Sequence, residues 1–259
     1  MVKKVYDFQV LNITFDQLAR RYYDYFGNLD VVSIVKAHQM SIDWILEAGC
    51  HDGSDSVTLV KELNPVRYLA FEPDETARAK ALQRFESTGT HRIEMYPFGL
   101  SNYNSMRFLK YEAEGKGSGS THLADEGDDV IEVKVFDELV TVEEGSGLLW
   151  LDVEGHALQA LQGMKNALHR IVIAKIEVQL HTRNSDFVRD FIEVILLMEK
   201  SDLFPIFGPV YPGYFGDIIF LRKEFLRPYD KFRSRILKFQ MGLLHLGVYQ
   251  IIKKPTKNL

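Results

Sequence analysis

An acidic residue and two glycines, set directly after an apolar run, constrain this chain more than any other feature. Glu47-Ala48-Gly49-Cys50-His51-Asp52-Gly53 follows Trp44-Ile45-Leu46, and Glu72-Pro73 closes a second apolar run, Tyr68-Leu69-Ala70-Phe71. Glycine has no Cβ, so such a loop turns tightly and lets a ligand approach its backbone. A carboxylate ending the next strand stands where a ribose diol is held at the switch point of an open α/β sheet. The glycine spacing is G-x-x-x-G. That fits neither the G-x-G-x-x-G of a dinucleotide fingerprint nor a P-loop, which needs G-K-[ST] after its glycines. The two segments predict a nucleotide-type pocket at the carboxyl ends of two neighbouring strands.

The chain goes on alternating. Strand-like runs at 44–48, 68–72, 91–96, 148–153 and 170–178 are separated by helical patterns near 54–63, 74–87 and 156–164. A further helix, capped by Ser185 and carrying Phe187, Phe191 and Ile195 on one face, precedes strands at 203–207 and 217–221. Segments 105–111 and 130–136 read as hairpin arms around Gly115-Lys116-Gly117-Ser118-Gly119-Ser120. Alternation of this kind predicts a mostly parallel sheet with helices on both faces. We place this α/β domain at 41–225. Residues 1–40 form an N-terminal helical cover, with Thr14 and Gln17 spaced as a capping box; a plain packing helix is the alternative reading.

Charge is unevenly distributed. The whole chain carries -5, which gives no electrostatic reason to expect nucleic acid as a partner. From Arg222 onward there are ten Lys or Arg against Glu224 and Asp230. Residues 226–259 therefore read as a basic amphipathic helical tail, suited to a peripheral membrane surface, to self-association or to closing the sheet. A single cysteine excludes an intrachain disulfide and fits a reducing compartment. With no apolar signal after the N-terminal lysines, the expected location is the cytoplasm.

The glycine loop and Glu72 look like the first two motifs of a class I S-adenosylmethionine-dependent methyltransferase. Leu149-Trp150-Leu151-Asp152-Val153-Glu154-Gly155, followed by Leu161 and Gly163, narrows this further. It resembles the D-V-E-G signature of the FkbM family of O-methyltransferases. Phe98-Gly99-Leu100-Ser101-Asn102, Ser118-Gly119-Ser120-Thr121 and Lys175-Ile176-Glu177-Val178 are similar to other stretches of that family. The resemblance spans roughly residues 42–222; it departs at Ala157, where the family commonly has an acidic residue. It implies a Rossmann-like, mostly parallel seven-stranded sheet with one antiparallel strand near its C-terminal end. It also implies S-adenosyl-L-methionine as cofactor and a hydroxyl acceptor, on a sugar of a glycan, glycolipid or glycosylated metabolite. A non-sugar alcohol, or a cofactor-binding module without turnover, are the alternatives.

Expected cofactor contacts are Glu47, Gly49, Cys50, His51, Asp52, Gly53, Glu72, Pro73, Phe98, Gly99, Leu100, Ser101 and Asp152. Vicinal hydroxyls donate to the Glu72 carboxylate in charge-assisted bonds, and Glu47 neutralises an ammonium. An alcohol is a poor nucleophile at neutral pH, so a base in hydrogen-bond reach assists methyl transfer. Asp152, Glu154 and His181 are the catalytic candidates, with His156 and His122 as further bases. Asp152 and Glu154 face opposite ways if their strand runs through both. Together with Glu177 and His181 they could hold a divalent cation, magnesium by the oxygen-rich donor set, although no tight ligand spacing points to a metal.

Overall fold

The computed structural model describes residues 30–90, 92–111, 115–117, 121–142, 144–179, 190–208 and 215–245. Its centre is the strand preceding the glycine loop. Five consecutive residues of β1 (Trp44–Ala48) are buried, as a parallel strand covered on both faces requires. β1 pairs in parallel with β2 (Arg67–Phe71) on one side and with β8 (Gly147–Leu151) on the other. β3 (Ile93–Tyr96) extends the sheet beyond β2, and β9 (Ile171–Gln179) extends it beyond β8. β11 (Phe215–Arg222) runs antiparallel to both β9 and β10 (Leu203–Phe207). The resulting order is β10-β11-β9-β8-β1-β2-β3, a mixed seven-stranded sheet.

Side-chain alternation sends successive residues of each strand to opposite faces. Leu46, Ala48, Leu69, Phe71, Leu149 and Leu151 fill one face, against α5 (Ala157–Gln162), α6 (Lys165–Leu168) and α7 (Asp190–Lys200). Ile45, Tyr68, Ala70 and Leu148 fill the other, against α1 (Val31–Ala37), α2 (Ser54–Leu63) and α3 (Glu75–Thr88). Asp30 caps α1 through the Ser33 amide at 2.9 Å, and Val31, Ile34 and Val35 bury its inner face. The rest of the N-terminal cover, with Thr14 and Gln17, lies outside the described residues, as do Ser185 and Phe187 of the capped helix.

The segment read as a hairpin becomes a separate four-stranded sheet. β5 (Ser105–Tyr111) pairs antiparallel with β7 (Asp129–Lys134), the two arms foreseen. An additional strand, β6 (Thr121–Ala124), takes the other edge of β5, and β4 (Gly99–Leu100) pairs with β7. The second arm stops at Lys134 because the chain turns into α4 (Phe136–Leu139). There Phe136 is wholly buried in the main core, and Asn104 Oδ1 accepts from the Val135 amide at 2.8 Å.

The tail forms α8 (Pro228–His245). Asp230, Arg233, Ser234 and Leu237 are buried, and Leu237 joins the main core. His38 lies 3.5 Å from Asp230, and Arg227 donates to the Ala37 carbonyl at 2.6 Å, which ties this helix to the end of α1. No described helix is long and apolar enough to cross a membrane.

Candidate active site

A cleft of about 240 Å³ opens at the carboxyl ends of β1, β2 and β8, where open α/β sheets bind ligands. Glu47, Gly49, Cys50, His51, Asp52, Glu72, Pro73, Phe98, Gly99, Leu100, Asp152 and Glu154 line it. Two further expected residues sit behind that lining. Gly53, in the left-handed region at φ 74°, begins α2 against the Phe85 ring. Ser101 is fully buried, and its hydroxyl is hydrogen-bonded to His156 Nε2 at 3.0 Å. His181 lies outside the described residues.

Glu72 forms the floor. Its Oε2 accepts from the His51 amide and its Oε1 from the Asp74 amide, both at 2.9 Å. Burial raises its pKa, and those two amides work against the rise. An ionised carboxylate offers about four lone-pair sites. With each oxygen engaged once by backbone, accepting capacity remains on both sides for a vicinal pair of hydroxyls.

Glu47 is tied more inwardly than its sequence position suggests. Its Oε2 accepts from the Ser56 hydroxyl and from Tyr68 Oη, the latter at 2.7 Å. Burial pushes its pKa up to about 7, so near neutrality it is part protonated, a carboxyl braced between two hydroxyls. Cys50 is buried and its thiol is pushed well up by burial, which keeps it protonated and inert. Asp52 turns away to Arg84 of α3 and caps the Ser54 amide at 3.1 Å.

The acidic residues of the D-V-E-G segment come together with Glu177. β8 stops at Leu151, and the backbone reverses through Glu154 at φ 46° and Gly155 at φ 89°. Asp152 and Glu154 lie on the same side, which corrects the expectation that they face opposite ways: residues two apart in an extended segment share a face. Asp152, Glu154 and Glu177 each offer an oxygen within 4.8 Å of the others. Asp152 and Glu177 lie close enough for one proton to relieve the repulsion between their carboxylates. Burial and the neighbouring Asp152 and Glu154 carboxylates push Glu177 up to about 8. Asp152 is also raised by burial, with the Lys175 charge opposing. Lys175 stands 4.0 Å from the centroid of the cleft-lining Trp150 ring and 3.1 Å from Asp217. The oxygen-only trio suits two roles, sharing a proton or holding a hard cation such as magnesium.

Sequence reasoning passed over several cleft residues. Asp74 caps α3 through the Thr76 and Ala77 amides and also accepts from the Gly117 amide at 3.0 Å. The Gly117 carbonyl in turn accepts from His51 Nε2 at 3.0 Å and from Lys80 at 3.1 Å. This draws the loop between β5 and β6 onto the glycine loop. Acidic capping signals were legible in Pro73-Asp74-Glu75; the latch to Gly117 was not. Leu109, Thr121 and Leu123 line the cleft from the smaller sheet. His156, already expected as a further base, enters the cleft neutral, since burial and the Arg107 charge lower its pKa to about 4. Gly163, last residue of the signature, packs its Cα against the Ser101 carbonyl, where a Cβ would come within 1.9 Å.

The chain is similar in sequence or in structure to several known proteins. The hexuronic acid methyltransferase AglP of Haloferax volcanii is 25% identical over 180 residues, which cover 68% of this chain and 73% of that protein. The solved structure of the methyltransferase FkbM from Methylobacillus flagellatus KT is 16% identical with a TM-score of 0.49. The match covers 70% of this chain but only 44% of that one, so the chain spans less than half of that relative's length. Magnesium protoporphyrin IX methyltransferase from Synechocystis PCC 6803, solved with SAH, is 10% identical with a TM-score of 0.45, over 81% of this chain and 88% of that one. Residues 47–203, more than half the chain and all the described cleft-lining residues, match the model of the methyltransferase FkbM domain, and this protein belongs to the FkbM methyltransferase family.

Proposed function

We propose that this enzyme transfers the methyl group of S-adenosylmethionine to an oxygen of a sugar carried on a glycan, glycolipid or glycosylated metabolite. The observation that carries the reading is Glu72, buried at the cleft floor with both oxygens pinned by backbone amides and accepting capacity left for a ribose diol. Phe98, Gly99 and Leu100 give an apolar wall suited to a flat base. The sugar is supported by the hexuronic acid methyltransferase among the relatives.

S-adenosylmethionine, when bound, supplies a methyl group on a positively charged sulfur. The protein's part is to align the acceptor oxygen and to take its proton. Asp152 is suited to the second task because burial makes it a stronger base than an exposed carboxylate. Glu177, holding the shared proton near neutrality, keeps Asp152 ionised and oriented. We assign the trio to proton handling on the ground of its clustered carboxylates and of the Glu177 pKa raised to about 8. Orientation of acceptor and donor supplies the remainder of the rate.

The test is transfer of isotope-labelled methyl from S-adenosylmethionine to a panel of acceptors: neutral hexosides, hexuronosides, and non-sugar alcohols of similar size. Label in the sugar arms alone supports the proposal; label in the non-sugar alcohols alone refutes the sugar assignment.

A further inference from the structure

From Lys231 to Leu259 the sequence has seven Lys or Arg and no Asp or Glu. The fold sorts the first part of this stretch by side. Arg233, Ser234 and Leu237 turn inward with Asp230. Pro228, Lys231, Phe232, Arg235 and Lys238 face solvent, and their spacing of three and four residues lines them up as one stripe. Phe232 is 56% exposed and Tyr229 is 43% exposed, a large apolar investment for a helix face that meets water. Lys238 pairs with Glu199 at 2.8 Å, and the Arg233 guanidinium lies 4.4 Å from the Tyr229 ring centroid.

The helix also points in a particular direction. Arg227, just before α8, binds the Ala37 carbonyl at the end of the chain segment that leads into β1. Ten residues later Leu237 reaches Gly208, the residue after β10, where a Cβ would lie 3.1 Å from its methyl group. β10 runs in the same direction as β9, since both are antiparallel to β11. α8 therefore climbs from the amino ends of the parallel strands to their carboxyl ends. Its last eight residues rise about 12 Å further, at 1.5 Å per residue, on the end of the sheet where the cleft opens.

We infer that the exposed stripe of α8 docks the enzyme on an anionic membrane surface. Basic residues alone would fit any acidic partner. Aromatic side chains between them, with no acidic residue following Asp230, fit the boundary between charged headgroups and acyl chains. The inference rests on charge, exposure and helix direction, and is independent of which acceptor the cleft takes.

Cosedimentation of the full chain with vesicles decides it. The protein should pellet with phosphatidylcholine vesicles containing phosphatidylglycerol at low salt and stay in solution with phosphatidylcholine alone. High salt should release most of it, since electrostatic attachment is screened. Lys231→Glu with Arg235→Glu shifts the net charge by four units, at about five-fold each, and should weaken partition on the order of 100-fold or more. Phe232→Ser should weaken it at both salt levels. The melting temperature and its rise with S-adenosylhomocysteine monitor the fold of each variant. Failure of the wild-type chain to bind anionic vesicles at low salt overturns the inference. So does a folded charge-reversal variant that binds as well as wild type, or a dimer by light scattering that Phe232→Ser dissolves without changing lipid binding.

Discussion

A side chain at position 49 would place its Cβ 1.6 Å from the carbonyl oxygen of Asp152, so the glycine loop and the D-V-E-G segment touch backbone to backbone. The Asp152 amide donates to Ala48 on the same side, at 2.9 Å. Gly49 also sits at φ 81°. Any other residue there must move the segment that carries the candidate base.

Gly49→Ala should therefore destabilise the fold by roughly 2–4 kcal/mol, combining a left-handed backbone with overpacking. Gly89→Ala is the matched control. It shares the left-handed conformation at φ 68° but has nothing within 4 Å of the added methyl, and should cost only about 1 kcal/mol. Urea titration of both variants measures the difference.

Much of the fold was legible because parallel strands leave a simple signature. The apolar runs of β1, β2 and β8 could be read almost to the residue, and the carboxylates ending them marked the cleft. What was not legible depends on contacts distant in sequence. β6 is short and its burial is uniform, so Thr121 to Ala124 gave no period-two pattern to read. The reversal at Glu154 needs a non-glycine residue at positive φ, a conformation its type does not announce. Convergence of Glu154 with Glu177 followed from that turn. The inward bonding of Glu47 depends on Tyr68 and Ser56, which arrive from two other elements.

The Asp152–Glu177 pair makes a prediction about turnover. Asp152→Asn should lower turnover by about 10²–10⁴-fold while leaving S-adenosylhomocysteine affinity near wild type. Turnover of the wild-type enzyme should fall as pH drops through the raised pKa of Asp152. Glu177→Gln, which retains a donor to Asp152, should keep most activity at neutral pH. Assays in EDTA and in magnesium should agree. Activity lost in EDTA and restored by magnesium would transfer the trio to metal binding.

Stability should respond to Glu47. Its folded pKa of about 7 lies above the ordinary 4.5, so the folded state binds the proton more tightly. The stability this contributes is fully present below pH 4.5 and is lost as pH rises through 7, to the extent of roughly 3 kcal/mol. Glu47→Gln keeps an acceptor for Ser56 and Tyr68 but cannot ionise. Its melting temperature should fall less than that of wild type between pH 5 and 8, as scanning calorimetry would record.

The most direct measurement is calorimetric titration of S-adenosylhomocysteine into the wild-type protein and Glu72→Ala. The account predicts binding at one site in the wild type. Loss of bonds to a buried carboxylate should weaken the variant by about 1.5–3 kcal/mol, or ten-fold to a hundred-fold and more, with its fold retained by circular dichroism. Absence of binding to the wild type at millimolar ligand, or equal affinity in a folded Glu72→Ala, would contradict it.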